Sequence, residues 1–190
     1  CSSDGSQDLI ADYARSDPSL FTPIYHEHNT GVSQVRVDAL QAVRGDYVSY
    51  LDGDDRYLPE KLEKEAATLK QHPSAGIAFS NNVYVSEDGR TQIRKGIDVE
   101  TPPDGNVFTE TFARDFPKRS LFRMELVAYE PWKRIGFHDP ALKLYEDFDM
   151  RIRLTKHLDV VYCDEVLTEI RTHRTGLSKS RPGLHFEALD

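Results

Sequence analysis

The stretch VSYLDGDDRYLPEKL, residues 48–62, decides how the rest of the chain is interpreted. Its first residues include β-branched and aromatic types, which are typical of a strand. The run ends in three carboxylates, Asp52, Asp54 and Asp55, arranged around Gly53. Like charges this close repel one another unless something positive lies between them. The stretch therefore predicts a strand that ends at a cation-binding or cation-paired site.

Two familiar acidic loops do not fit this stretch. An EF-hand loop that began at Asp52 would place Glu63 correctly at its last position, but it would put Tyr57 where glycine is required. A phosphatase-type DxDxT motif also fails, because Arg56 stands where threonine is needed. Two interpretations stay open: a D-x-D sequence that holds a divalent metal on a diphosphate, or an acidic turn followed by a helix cap.

Residues 1–71 alternate between helix and strand patterns. This alternation predicts an α/β fold with a parallel sheet flanked by helices. Ligands bind at the carboxyl ends of the strands in such sheets, which is where the acidic loop lies. The predicted elements are a helix over 7–15 capped by Ser6, a strand over 20–28, a helix from Ser33 to a stop at Gly45 with a stripe at Val35, Ala39, Ala42 and Val43, a strand over 46–51, and a helix over 59–71 with Leu62, Ala66 and Leu69 on one face.

The pattern changes after Gly76. Two strand-like runs separated by turn residues predict a hairpin. The predicted elements are that hairpin with its turn at Glu87–Gly89, an irregular loop over 96–118, a strand and a short helix over 124–136 ended by Gly136, a helix over 144–157, a strand over 158–163 and a polar tail over 171–190.

The composition excludes several classes of protein. The 190 residues suit one domain, and 38% hydrophobic with 29% charged residues is ordinary for a globular protein. The net charge of −8 argues against a general nucleic-acid binder. No run reaches the ~20 apolar residues of a membrane span. Cys1 and Cys163 are too few for a disulfide framework, which predicts a cytoplasmic protein.

Two further motifs carry candidate chemistry. In EDFD, residues 146–149, the acids suit the first turn of a helix, or Asp147 acts as a general base. In RTHRTGLS, residues 171–178, His173 is either a surface histidine or a contact to a metal or phosphate.

Three more residues have an ordinary and a functional interpretation. Asp4 in SDGSQD lies either in a common Asp–Gly turn or at the end of a strand in a site. Arg36 is either a solvated helix residue or a ligand for an anion. Trp132, the only tryptophan, is either a core residue or a substrate contact.

Four segments in order resemble the motifs of the inverting family 2 glycosyltransferases. The resemblance implies the GT-A fold, in which a Rossmann-like, mostly parallel central sheet is flanked by helices and followed by a mixed C-terminal acceptor half. Ser3 and Val37 depart from the family pattern. The segments are SDGSQD (3–8), HNTGVSQVRVDALQAVRGDYVSYLDGDD (28–55), YEDFDMRIRL (145–154) and EIRTHRTGLS (169–178).

The resemblance also implies a role for each candidate residue. Asp147 would be the catalytic base, with Glu146 beside it. Mn²⁺ or Mg²⁺ would be held by Asp54, with Asp52 and His173 as further ligands. The substrate-binding residues would be Asp4 at the nucleotide base, Arg36 near the base or diphosphate, Asp52 and Asp55 in the acidic loop, and Trp132 beside the acceptor.

The resemblance implies an organisation and a reaction as well. Residues 1–75 would form a nucleotide-sugar-binding half whose first strand lies before Cys1, 76–180 the acceptor-binding half, and 181–190 a tail. The donor would be a nucleotide sugar such as a UDP-sugar, and the acceptor a growing glycan or lipid-linked sugar in polysaccharide biosynthesis, with peripheral contact to the inner membrane face. The alternatives are a non-catalytic nucleotide-sugar or glycan-binding fragment of a larger synthase, and a nucleotidyltransferase.

Overall fold

The computed structural model describes residues 4–97, 101–116 and 125–173. The predictions that concern Cys1, Ser3 and the tail beyond His173 lie outside these residues. The described helices are α1 Ser6–Ser16, α2 Val32–Gln41, α3 Lys61–Gln71, α4 Phe108–Phe112, α5 Tyr129–Ile135 and α6 Glu146–His157. The described strands are β1 Tyr47–Val48, β2 Arg56–Tyr57, β3 Ala75–Val85, β4 Gln92–Lys95, β5 Leu126–Ala128 and β6 Asp159–Arg171.

β3 is the central strand of a single described sheet, whose order is β1-β5-β3-β6-β2 with β4 beside β3. It pairs in parallel with β6 along its whole length, from Ala75 opposite Asp159 to Val85 opposite Arg171. β5 and β4 pair antiparallel with β3, β1 pairs antiparallel with β5, and β2 pairs antiparallel with β6. The two long strands therefore pair directly with β2, β4 and β5, and β1 joins the sheet through β5.

Helices cover both faces of this sheet, because successive strand residues point to opposite sides. On one face Ile77 and Phe79 pack with Trp132 and Leu154. On the other face the intervening Ala78 packs with Leu69 of α3. The predicted helix-flanked α/β arrangement is confirmed, as are the hairpin formed by β3 and β4 and the helix stop at Gly136, which has φ +98°.

The prediction of a mostly parallel sheet is wrong for the described residues. Of the five strand pairings there, only that of β3 with β6 is parallel. The predicted strand over 20–28 is not a strand, since its residues join no sheet in the described chain and Pro23 offers no backbone N–H for a ladder. The predicted strand over 46–51 shortens to β1. The sheet is therefore mixed.

The first part of the described chain contributes little to the core. None of the residues 4–32 is buried, and α1 buries no side chain. The predicted stripe of α2 is also wrong: Val35 and Ala39 are exposed, whereas Ser33 and Leu40 are buried. Ser33 Oγ donates a hydrogen bond to the backbone oxygen of Leu142 at 2.6 Å, so α2 is held by a polar contact as well as by packing.

α3 buries part of the predicted apolar face and, in addition, two charged residues. Leu62 is 51% exposed, whereas Lys61 and Glu65 are completely buried together with Leu69. Lys61 Nζ donates to Glu65 Oε1, which also accepts a hydrogen bond from Ser80 Oγ of β3 at 2.7 Å. Lys61 lies over the ring of Tyr57 at 4.9 Å. A buried ion pair thus joins α3 to the sheet, whereas the apolar pattern predicted that Leu62 would be buried.

Among the described residues, no helix has both the length and the apolar character that crossing a bilayer would require.

We expect the buried pair of α3 to be intolerant of single substitutions. Lys61→Met leaves the Glu65 carboxylate buried without its cation and should lower the free energy of unfolding by about 3–5 kcal/mol, whereas Lys61→Met with Glu65→Met should recover most of this loss. Urea denaturation measures both. Lys64→Met, which removes a partly exposed lysine paired with Glu60 and Glu165, is the control and should change stability little. Equal stability of Lys61→Met and the unaltered protein would contradict the expectation.

Candidate functional site

β6 holds the acidic loop in place. The two residues after the loop form β2, in which Arg56 lies opposite Glu169 of β6, and their side chains form an ion pair. The carboxylate of Asp55 accepts a hydrogen bond from the backbone N–H of Arg171 at 2.8 Å. Asp55 therefore fixes the loop against the end of β6, and its predicted contact with substrate stays a prediction.

The end of β6 brings His173 to Asp54. His173 Nε2 lies 3.0 Å from Asp54 Oδ2, and Nδ1 lies 3.7 Å from Glu87 Oε1 at the turn between β3 and β4. The backbone N–H of Thr172 donates to the carbonyl oxygen of Val85 at 3.0 Å, which ties the turn to the end of β6. Two residues predicted as metal ligands are thus neighbours, although they are far apart in sequence.

The predicted three-ligand metal set is not assembled. In the part of the chain that the structure describes, no three His, Cys, Asp or Glu side chains converge for a metal ion. Asp52 faces Arg36 at 3.6 Å, whereas Asp54 faces His173. Mg²⁺ and Mn²⁺ sites often use one or two protein ligands, with water and substrate phosphates in the remaining positions. The Asp54–His173 pair, in which both side chains reach solvent, fits a metal that binds with a diphosphate.

Arg36 connects the acidic loop to the EDFD motif. Its Nη2 lies 3.6 Å from Asp52 Oδ1, and its Nη1 donates to Glu146 Oε1 at 2.8 Å. Its guanidinium also lies over the ring of Tyr50, 4.6 Å from the centroid. Of the two interpretations of Arg36, the solvated helix residue is excluded, because the side chain is only 16% exposed and is held by three partners.

The two adjacent acids of the EDFD motif have different environments. Burial raises the pKa of Glu146 above its ordinary value, and Arg36 only partly opposes this. Burial also acts to raise the pKa of Asp147, but the nearby guanidiniums of Arg151 and Arg36 outweigh it and lower that pKa. The side chain of Asp147 is 40% exposed, against 11% for Glu146. Asp147 is thus the ionised acid that solvent can reach.

Three residues near Asp147 were not identified from the sequence. Arg151 donates to Asp147 Oδ2 at 2.9 Å and lies 3.3 Å from the buried Glu125. Tyr50 is 3.5 Å from the Glu125 carboxylate through its hydroxyl. The four-residue spacing of Asp147 and Arg151 on one helix is a signal that could have indicated their pairing. No pattern in the sequence indicated Glu125.

Asp4 lies apart from this network. Its carboxylate accepts hydrogen bonds from the backbone N–H and the hydroxyl of Ser6, at 3.1 and 2.6 Å, and these bonds lower the pKa of Asp4. Ser6 lines a cleft of about 910 Å³ that extends to Val35 of α2 and to Leu51, the residue before the acidic loop. The cleft is within the size range of small-molecule sites. The cleft therefore extends from Ser6, the hydrogen-bond partner of Asp4, to the residue directly before the acidic loop.

The predicted substrate contact of Trp132 is wrong. Its side chain is fully buried, and its indole nitrogen faces Met150 Sδ at 3.1 Å. The ring lies between α5 and α6 in the main core, so it offers no surface to a ligand. The lone tryptophan is a packing residue.

His138 is a buried neutral residue beneath the site. Its ring lies 6.3 Å from that of Tyr50 and 6.0 Å from that of Trp132, and within the described ranges neither ring nitrogen has a hydrogen-bond partner. Burial and the positive charges of Arg36 and Arg153 lower the pKa of His138 to about 4. A cation at this position would be repelled by the same arginines that neutralise the acids.

The chain matches a known family over most of its length. The family model described as Glycosyl transferase family 2 matches residues 1–139. The putative teichuronic acid biosynthesis glycosyltransferase TuaG of Bacillus subtilis is 33% identical over 89 residues, which are 47% of this chain and 34% of that protein. The chain spans about half the length of two curated relatives that match most of it, 49% in each case.

Two solved structures have the same fold. TarS 1–349 of S. aureus in complex with UDP-GlcNAc has a TM-score of 0.69 at 20% identity, covering 95% of this chain and 50% of that chain. The mannosyltransferase PcManGT of Pyrobaculum calidifontis in complex with GDP-Man and Mn²⁺ has a TM-score of 0.63 at 17% identity, covering 95% and 48%. These likenesses confirm the predicted α/β fold of GT-A type.

We expect His138 to make the protein sensitive to acid. Its pKa is lower in the folded chain than the ordinary 6.5, so the unfolded chain binds the proton more readily and stability falls as the pH drops below about 6.5. Between pH 7 and 5 this residue should account for about 2 kcal/mol of lost stability. Urea denaturation at both values should show a smaller loss for His138→Phe than for the unaltered protein. Equal losses would contradict the expectation.

Proposed function

The chain belongs to glycosyl transferase family 2, and on this premise we propose that it is part of a metal-dependent, inverting glycosyltransferase. It would move a sugar from a nucleoside-diphosphate donor to a hydroxyl acceptor. The Arg36 bridge supports this proposal most strongly. It joins Asp52 of the acidic loop to Glu146 at 3.6 and 2.8 Å, so the loop that would face the diphosphate lies beside Asp147.

Asp147 is the proposed general base. Its carboxylate is ionised because Arg151 and Arg36 stabilise the negative charge, and it is exposed enough to meet an acceptor hydroxyl. The carboxylate takes the hydroxyl proton as the acceptor oxygen forms a bond to the anomeric carbon. The bond from that carbon to the diphosphate oxygen breaks in the same displacement. One displacement inverts the configuration at the sugar carbon.

Asp54 and His173 are the proposed metal ligands, and the Mn²⁺ in the mannosyltransferase complex supports a divalent cation in this fold. A bound Mn²⁺ or Mg²⁺ supplies positive charge to the leaving diphosphate. Carboxylate oxygen and imidazole nitrogen are both suitable donors for Mn²⁺. Asp52 stays with Arg36, which can offer its guanidinium to an anion.

The cleft of about 910 Å³ is the proposed nucleotide site. It opens beside Leu51 and Ser6, so a nucleoside there would place its diphosphate towards the acidic loop. This supports residues 1–75 as the donor-binding half, and the role of 76–180 as the acceptor-binding half stays a prediction. The UDP-GlcNAc and GDP-Man in the two solved complexes support a nucleotide-sugar donor without selecting the base.

The proposed acceptor is a glycan or a lipid-linked sugar. The name of TuaG, which refers to teichuronic acid biosynthesis, supports a polysaccharide pathway. A cytoplasmic location with contact to the inner membrane face follows from such an acceptor and stays a prediction.

Asp147→Asn tests the base. Turnover of UDP- or GDP-sugars should fall by about 10²–10⁴-fold, because the amide cannot take the hydroxyl proton. Donor affinity, measured by calorimetry on the full-length protein, should not change. Asp149→Asn is the matched control: this acid lies on the same helix, is similarly exposed and pairs with Arg153 instead. It should retain turnover.

Two outcomes would contradict this assignment. Normal turnover by Asp147→Asn would exclude the residue as the base, and loss of donor binding would give it a binding role. Donor binding without any turnover by the unaltered full-length protein would instead support a nucleotide-sugar-binding module.

Asp54→Asn and His173→Gln test the metal site. Each should weaken the Mn²⁺-dependent part of donor binding by about tenfold or more, the equivalent of ~1.4 kcal/mol. Calorimetry with and without Mn²⁺ separates that part from binding of the nucleoside. Asp88→Asn is the control, since this acid lies at the neighbouring turn but is bonded to Ser86 and Arg90. If the donor affinity of the unaltered protein is the same with and without Mn²⁺, metal dependence is refuted.

A further inference from the structure

Glu125 and Arg151 form an ion pair within the protein interior. Glu125 is 1% exposed, and the side chain of Arg151 is 4% exposed. Arg151 Nε lies 3.3 Å from Glu125 Oε1, and Nη2 lies 3.4 Å from Oε2, so the guanidinium faces both oxygens of the carboxylate. Taking two charges out of water is costly, and a single cation–anion pair often fails to recover this cost. The pair therefore invites an explanation beyond stability.

The contact between Arg151 and Asp147 supplies such an explanation. The remaining guanidinium nitrogen of Arg151, Nη1, donates a hydrogen bond to Asp147 Oδ2 at 2.9 Å. Glu125, which lies directly before β5, contacts the guanidinium on its buried side. Asp147, in the first turn of α6, contacts it on the opposite side. Asp147 Oδ1 accepts a hydrogen bond from the backbone N–H of Phe148 at 2.8 Å. The orientation of the Asp147 carboxylate is thus set by a backbone N–H and by Arg151, a buried group that cannot itself reach a substrate.

Several charged or titratable groups face Asp147. Arg151 lies on its own helix and Arg36 lies on α2, and both favour the ionised form. Glu146 precedes it in the chain and opposes ionisation. Tyr50 and His138 complete the surroundings and are held neutral. Among these groups only Arg151 donates a hydrogen bond to Asp147 within the described residues, so it is the dominant local cation.

We propose that Arg151 is a positioning residue for Asp147, and that Glu125 is its buried counter-charge, which fixes the guanidinium in the orientation that Asp147 needs. The inference rests on the proposed function only in that Asp147 is taken as the base. Arg151 acts through Asp147 and does not contact the substrate, since it is buried.

The charge of Arg151 and its forked shape can be tested separately. The double substitution Arg151→Met with Glu125→Gln removes both buried charges, and should raise the acidic limb of the pH profile of kcat/KM by about one unit or more. Arg151→Lys keeps the charge but cannot bind both carboxylates with the same fork. It should leave the limb in place and lower kcat by about tenfold or more at an unchanged donor KM. A merely structural role would give neither the moved limb nor this separation.

Arg153→Met is the matched control. Arg153 lies on the same helix, is paired with Asp149 and bonds the carbonyl oxygens of Gly136 and Phe137, so its removal should leave the limb close to its original position. An unmoved limb in the double variant, or Arg151→Lys with normal kcat, would overturn the proposal. Thermal melts verify that each variant is folded, and if the double variant is not, the kcat and KM of Arg151→Lys decide.

A measurement without turnover separates this inference from the proposed function. Carbon-13 NMR can follow the titration of the Asp147 carboxyl in substrate-free protein, with the signal assigned by its loss in Asp147→Asn. The double variant should titrate about one pH unit or more above the unaltered protein. If turnover is absent but this shift occurs, the proposed function fails while the control of Asp147 by Arg151 stands. If turnover depends on Asp147 but no shift occurs, the present inference alone fails.

Discussion

The parallel pairing of β3 with β6 is the constraint on which the site depends. β6 runs from Asp159 to Arg171 and pairs with the buried β3 from end to end, with shifts of register around Ser80–Asn82. α6, which starts with Glu146 and Asp147, ends one residue before β6, and His173 lies two residues after its end. β2 attaches the acidic loop to the same strand. A break in this pairing would separate the acidic loop, the imidazole and the proposed base at once.

Within this frame, each acid of the DGDD loop has its own partner. Asp52 faces Arg36, Asp54 faces His173, and Asp55 accepts a backbone N–H from Arg171. Arg36 and the backbone N–H of Arg171 therefore already offset part of the repulsion that first suggested one cation among three carboxylates. A metal would add to the Asp54–His173 pair and would not have to neutralise the whole loop. The metal then has less negative charge to neutralise, which suits a cation that binds together with a diphosphate.

The sequence predicted the elements better than it predicted their surroundings. Local signals located the hairpin turn at Gly89 and the helix stop at Gly136, because positive φ values are readily adopted only by glycine. The helical spacing of apolar residues did not identify Lys61 and Glu65 as buried residues of α3. These two side chains neutralise one another in the core, and a hydrophobic pattern does not detect such a pair. The four family motifs located the acidic loop and the EDFD turn. Glu125 could not be found, because its pairing with Arg151 exists only after β5 and α6 come together.

The contrast between Glu146 and Asp147 shows how one dipeptide can supply two kinds of acid. Both lie in the first turn of α6, where the helix dipole favours negative charge equally. The two acids differ in the cation that each one contacts and in the exposure of each side chain to solvent. Glu146 is buried against an Arg36 that it shares with Asp52, so its charged form is stabilised incompletely. Asp147 has Arg151, whose own burial is supported by Glu125, and it keeps access to solvent. An acid that must stay ionised and still reach a substrate needs this arrangement. Its cation is fixed inside the protein, and the solvent-accessible side of the carboxylate is left for the acceptor hydroxyl.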